Sequence, residues 1–267
     1  MATRSQINEA HPDVENPRRL ARTAGLYYLV VAVLGPFALL YVPERVYVPG
    51  DAAATAANLV ANESLVRLGL VADLAQATFM LFVVLALYRL LHHVGRNTAR
   101  AMVVFVAVAV AIMCLNAAHQ LGAVLVATDP AAYASALGAD GSDAVVLLLL
   151  DLQHHGVLVA QIFFGLWLFP MGLLAYRSTM LPRLVGILLM AATCSYLLDV
   201  LLQLLAPELA DAASAIIVVP PVLGEVSLLA YLLIKGVKQP VPAAESSPSP
   251  PGPDADWMAS SDRSPGS

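Results

Sequence analysis

Six long apolar blocks, separated by short polar breaks, constrain this chain more than any other feature of it. A bilayer crossing needs about 20 consecutive apolar residues. The blocks at 20–42, 65–90, 99–127, 144–176, 183–205 and 212–236 all reach that length. They are far longer than barrel strands and do not alternate, so helices are the expected structure. A helix satisfies its own backbone polar groups where no water can reach them. Composition supports the same reading: 59% of residues are hydrophobic and 12% charged, against roughly 45–50% and 25% in soluble domains. The expected fold class is all-α: a polytopic membrane protein with six transmembrane helices in one bundle.

The breaks carry their own signals. Gly35-Pro36 predicts a kink in span one. Pro43, Pro49 and Gly50 predict a turn, after which Asp51 can cap a short Ala-rich helix running to Asn62. That helix is too short to span, and we place it at the membrane interface. Residues 128–143 read as a polar loop. Span four is longer than a bilayer requires, so it tilts, protrudes or bends at Pro170. Pro220-Pro221 either breaks span six or starts it. Residues 1–19 form a polar lead without the features of a cleavable signal peptide. Residues 237–267, rich in Pro, Ser, Gly and Asp, are expected to be a disordered tail.

Charge sets the orientation. Of the 14 Lys and Arg residues, 12 fall on one side of the six-span arrangement, and only Arg45 and Arg67 on the other. The positive-inside rule then puts both termini in the cytoplasm, which makes the chain a multi-pass protein of a cell membrane. The net charge of −5 says little about partners, but the lack of a basic run argues against nucleic acid. Cys114 and Cys194 form no metal-binding spacing and read as small core residues.

Polar side chains inside a membrane are costly, and by default they suggest function. The candidates are Asp73 and Gln76 in span two; Asn116, His119 and Gln120 in span three; Asp151, His154 and His155 in span four; Asp199 and Gln203 in span five; and Glu225 in span six. Gln161 adds to span four. Residues three or four apart share a helix face, so each of spans two to five presents a polar stripe. A rise of about 1.5 Å per residue puts Asp73, His119, Asp151 and Asp199 in the outer half of the bilayer. Gln161 and Glu225 lie nearer its middle, and the inner half is apolar. This pattern predicts one outward-opening polar pocket shared by spans two to five.

Three chemistries fit those residues. His119, Asp151 and His155 are ligand types for zinc or another divalent metal, which could activate water for hydrolysis. No HExxH is present, and no cofactor is firmly predicted. A plain polar pocket binding or moving a small solute, ion or lipid is the favoured alternative, with Pro220-Pro221 next to Glu225 resembling the broken helices of transporters. Interhelical hydrogen bonding that only fixes packing, in an accessory or regulatory protein, is the third. Phe163, Phe164, Trp167 and Phe169 read as packing aromatics, and Ala107 with Ala111 as a small-residue helix contact.

Arg22–Tyr28 (RTAGLYY), Pro49–Ala57 (PGDAAATAA), Asn62–Asp73 (NESLVRLGLVAD), Ile162–Leu166 (IFFGL) and Leu181–Leu198 (LPRLVGILLMAATCSYLL), followed by Asp199, resemble the domain of unknown function 4386 family of bacterial membrane proteins. The resemblance covers roughly residues 18–237. It implies the six-span architecture and no assigned activity.

Overall fold

The structure, a computed structural model, describes residues 16–237. The remainder of the polar lead and all but the first residue of the Pro/Ser-rich tail lie outside the described residues. Six apolar helical segments are long enough to cross a membrane: Pro17–Val46, Glu63–Leu91, Arg96–Thr128, Ala139–Arg177, Arg183–Leu205 and Pro207–Ile234. A shorter apolar helix, Ala52–Ala61, lies between the first two.

Local chemistry explains the boundaries. Span one begins at Pro17, three residues before the apolar block. Asn16 caps it by accepting from the Arg18 amide at 3.1 Å, and proline is pre-shaped for the first helical turn. Pro36 has no amide to donate to the carbonyl one turn earlier. The helix answers with one π-turn, Phe37–Tyr41, before resuming as Val42–Val46. The expected kink thus takes the form of a π-bulge. The Asp51 side chain accepts from the Ala54 amide at 2.9 Å and starts the short helix. Thr55 Oγ1 bonds both the amide and the carbonyl of Val48, each at 3.1 Å, which ties that helix to the end of span one.

Two expectations about the loops need correction. Residues 128–143 are not an open loop, because Pro130–Leu137 is helical with Asp129 as its cap. The non-helical joints there are Asp129 and Gly138, the latter at φ +76°, which only glycine adopts readily. Span four breaks at Trp167, between Ala139–Leu166 and Leu168–Arg177, and not at Pro170 itself. The displaced carbonyl belongs to the residue four before the proline, which is Leu166. Span six is likewise two helices, Pro207–Ile217 and Val219–Ile234, joined at Val218 with Pro220-Pro221 in the first turn of the second. The prolines therefore start a helix within a span that is broken just before them.

Each span packs on its neighbours in sequence, and span six packs back on span one, closing a ring of six. The short helix Ala52–Ala61 lies against span four. Two apolar cores fill the ring. One draws on all six spans and includes the fully buried Trp167, Leu174, Leu189 and Leu232. The other joins the ends of spans one to four that lie beside the short helix to that helix through Val42, Leu59, Val66, Val124 and Val146. Ala107 and Ala111 are exposed, so they do not form the close helix contact expected of them. Glycines do so elsewhere. A Cβ on Gly172 would stand 2.7 Å from the Gly186 carbonyl, so the backbones of spans four and five touch.

Candidate functional site

The polar side chains fall into four hydrogen-bonded groups between the spans. The first sits where the end of span one meets span four. Tyr47 follows directly on Val46, and its hydroxyl donates to Asp151 Oδ1 at 2.5 Å. The Tyr47 ring stacks on His154, with centroids 6.0 Å apart and planes 17° from parallel. The Asp151 contact, then burial, then the Asp151 charge push the Tyr47 phenol up to about 12. A cleft of about 30 Å³ lies beside this pair, lined by Val42, Pro43, Tyr47, Gln120, Gln153 and His154 among others. That is room for about one water molecule. His155 is exposed, and its Nδ1 lies 2.7 Å from the Asp151 backbone oxygen on its own helix.

The second group joins spans three and four. Asn116 is buried, and its amide donates to the Gln153 carbonyl at 3.3 Å. Only glycine at 156 permits this, since a Cβ there would lie 2.0 Å from Asn116 Oδ1. Three residues further along span three, His119 is half-buried, and its Nδ1 is fully buried without a hydrogen-bond partner. Elsewhere in the bundle, Asp73 is 3% exposed and accepts from Gln76 Nε2 at 2.9 Å. Gln76 Oε1 faces span one at Gly35, where a Cβ would come within 3.0 Å of it.

The third group is Asp199, whose Oδ2 accepts from Gln161 of span four at 2.6 Å and from Gln203 of its own helix at 2.8 Å. The fourth is Glu225. Tyr28 of span one donates to its Oε2 at 2.6 Å, and Tyr196 of span five donates to its Oε1 at 2.7 Å. Glycines make room for this clamp. Gly165 of span four faces Tyr196, where a Cβ would lie 2.7 Å from the tyrosine Cβ, and Gly25 of span one faces the Leu233 amide at 3.0 Å. Trp167 meets the Tyr28 ring edge-on at 6.3 Å.

The residues read from the sequence are thus spread over separate groups, and His119 joins none of them. Among the described residues, no hydrogen bond joins Asp73, His119, Asp151 and Asp199 to one another. No group of three or more His, Cys, Asp or Glu side chains there is placed to hold a metal ion. Of the metal candidates, Asp151 turns its carboxylate to Tyr47 and His155 turns its ring to a backbone carbonyl, so the three do not present a joint donor set. Sequence reasoning missed the partners Tyr28, Tyr47 and Tyr196, which it counted as apolar. The signal was there, because a tyrosine within or beside a span needs a partner for its hydroxyl.

The model of the family described as domain of unknown function (DUF4386) matches residues 23–236. No match was found among curated proteins or among solved structures.

Proposed function

Because this chain belongs to the DUF4386 family, whose description assigns no activity, we propose a function from geometry: the protein binds a small polar solute or cation at the outer cleft. The observation that carries this reading is the Tyr47–Asp151 pair with His154 stacked beside it, opening on a cleft that also holds Gln120 and Gln153. The imidazole, phenol and two amides that line the cleft, with the Asp151 carboxylate bonded behind the phenol, supply both acceptors and donors for a hydrophilic guest. Among the described residues, the end of the bundle where the cleft lies carries Arg45 and Arg67 as its basic side chains, which by the positive-inside rule fits the outside of a cell membrane. Ligand would therefore arrive from outside, with both termini cytoplasmic.

At about 30 Å³ the cleft admits a dehydrated ion or a water. A larger solute requires the end of span one to part from span four. The bond that resists this is Tyr47–Asp151, so binding a larger guest and opening that contact would be one event. The test is thermal stability of purified protein in lipid nanodiscs against a panel of alkali and alkaline-earth cations, small amines and amino acids. One of them should raise the melting temperature with concentration, by an amount equivalent to about 2.7 kcal/mol at a hundred times its dissociation constant. Asp151→Asn should abolish that rise. No stabilisation by any of them, or equal stabilisation of Asp151→Asn, would overturn the proposal.

A packing role is favoured for two other groups by a specific observation. Gln161–Asp199 and Asn116–Gln153 each join adjacent spans through a direct bond. Such bonds stabilise a bundle by about 0.6–2 kcal/mol each.

A further inference from the structure

Glu225 lies apart from the outer cleft and plays no part in the reading above. Its carboxylate stands at the junction of spans one, five and six, seven residues after the joint at Val218 that interrupts span six. Both oxygens are engaged, each by the phenol of a different span. The partners are neutral, and no basic side chain among the described residues pairs with it. The ionisable groups facing it are Tyr28 from span one and Tyr196 from span five, with Asp199 one turn further along the Tyr196 face. Its own helix adds none within a turn, and Glu208 and Asp211 on the first half of span six are more than two turns away.

This arrangement differs from packing polar pairs such as Asn116 with a backbone carbonyl. Each carboxylate oxygen accepts one phenol O–H, and a carboxylate has no hydrogen of its own to donate. A proton arriving from water binds one of those two oxygens and turns the group into a donor whose new hydrogen needs an acceptor. The new carboxyl O–H bond must point at an oxygen, and the phenol oxygens are the ones in contact. One phenol then has to turn its own O–H away and become an acceptor. The O–H···O⁻ bond it formed is lost, and a weaker neutral bond of reversed direction replaces it.

We propose that Glu225 is a proton-binding site in the membrane interior, and that taking up a proton releases one of the two phenol bonds that tie span six to spans one and five. The structure around it suits such a release. Span six is already interrupted at Val218, and its second half starts with prolines, which have no amide to donate to the carbonyls one turn earlier. Spans one and six approach to backbone contact at Gly25, so a change in the Tyr28 bond acts on a helix pair with little slack.

The experiment is difference infrared spectroscopy of the full chain in lipid nanodiscs across a pH series. We expect a carbonyl stretch of a protonated carboxylic acid that grows as pH falls. It should be lost in Glu225→Gln and retained in Asp151→Asn, which separates this site from the outer cleft. Tyr28→Phe and Tyr196→Phe keep the carboxyl group and remove one bond each, so each should shift the frequency of that band. These two variants keep the proposal testable if Glu225→Gln does not fold. A band unchanged in Glu225→Gln, unshifted in both tyrosine variants, or absent throughout the pH series would overturn it.

Discussion

Gly186→Ala places a methyl group where spans four and five have no room for one. The added Cβ would lie 2.6 Å from the Gly172 carbonyl oxygen and 2.8 Å from the Tyr176 amide. Both are backbone atoms, so no side-chain rotation relieves the contact. Ordinary contact begins at 3.4 Å, so the helices must part by about 0.8 Å, and a radial gap of that size forfeits a quarter to a half of each lost dispersion contact. Overpacking of this kind costs about 1–3 kcal/mol. Alanine's better helix propensity offsets up to about 1 kcal/mol of that. A net loss of about 1–2 kcal/mol corresponds to a fall of about 2–8 °C in melting temperature for a domain of this size. Gly122→Ala is the control, because its nearest neighbour, at 3.3 Å, is Leu149 Cδ1, the free end of a flexible side chain. That variant should melt within about 2 °C of the unmodified protein. Thermal unfolding of the purified proteins, followed by size-exclusion chromatography with fluorescence detection, reads both. If Gly186→Ala melts at or above the unmodified protein, or Gly122→Ala falls as far, the argument from backbone contact is wrong.

Three further outcomes are expected. Trp167→Ala empties a site that is 1% exposed at the break in span four and should cost about 3–5 kcal/mol, read as a sharp drop in folded yield and melting temperature; wild-type stability would contradict its place in the core. Cysteines introduced at Ser5 and Ser246 should resist an impermeant thiol reagent applied to intact cells, and labelling of both would reverse the orientation. Tyr47 should keep its proton to about pH 12, so its stabilising bond to Asp151 is complete below pH 10 and is lost as pH rises through 12. In a spectrophotometric titration, the phenolate signal missing from Tyr47→Phe should lie at the alkaline end, and an ordinary midpoint near 10 would show the bond does not form.

How much of this could be read from the chain alone depended on the range of the interaction involved. The helix start at Asp51, read from the sequence, rests on a side chain three residues from the amide it serves, and the start at Pro17, which was not, on the Asn16 side chain two residues from its amide. The break in span four was legible in kind but displaced, because a proline acts on the carbonyl a turn before it, at Leu166. Residues 128–143 misled because Asp and Gly suit both an open loop and the caps of a short helix.

The six-span, all-helical architecture follows from the sequence by itself. The absence of water in a bilayer leaves the backbone of a long apolar segment only one way to satisfy itself. Which polar groups meet is decided by tertiary structure. Helical periodicity gives the face and depth of Asp73, Asp151, Asp199 and Glu225, and the shared depth of the first three, with the polar stripes of their spans, suggested one pocket. The rotation of each helix against its neighbours sends them to different partners: Gln76, Tyr47, Gln161 and two tyrosines. That rotation is set by where backbones can approach, at Gly25, Gly165, Gly172 and Gly186, against residues in other spans. A single sequence gives the glycines but not their opposite numbers, because the contact belongs to two helices whose relative rotation is settled only when the ring closes.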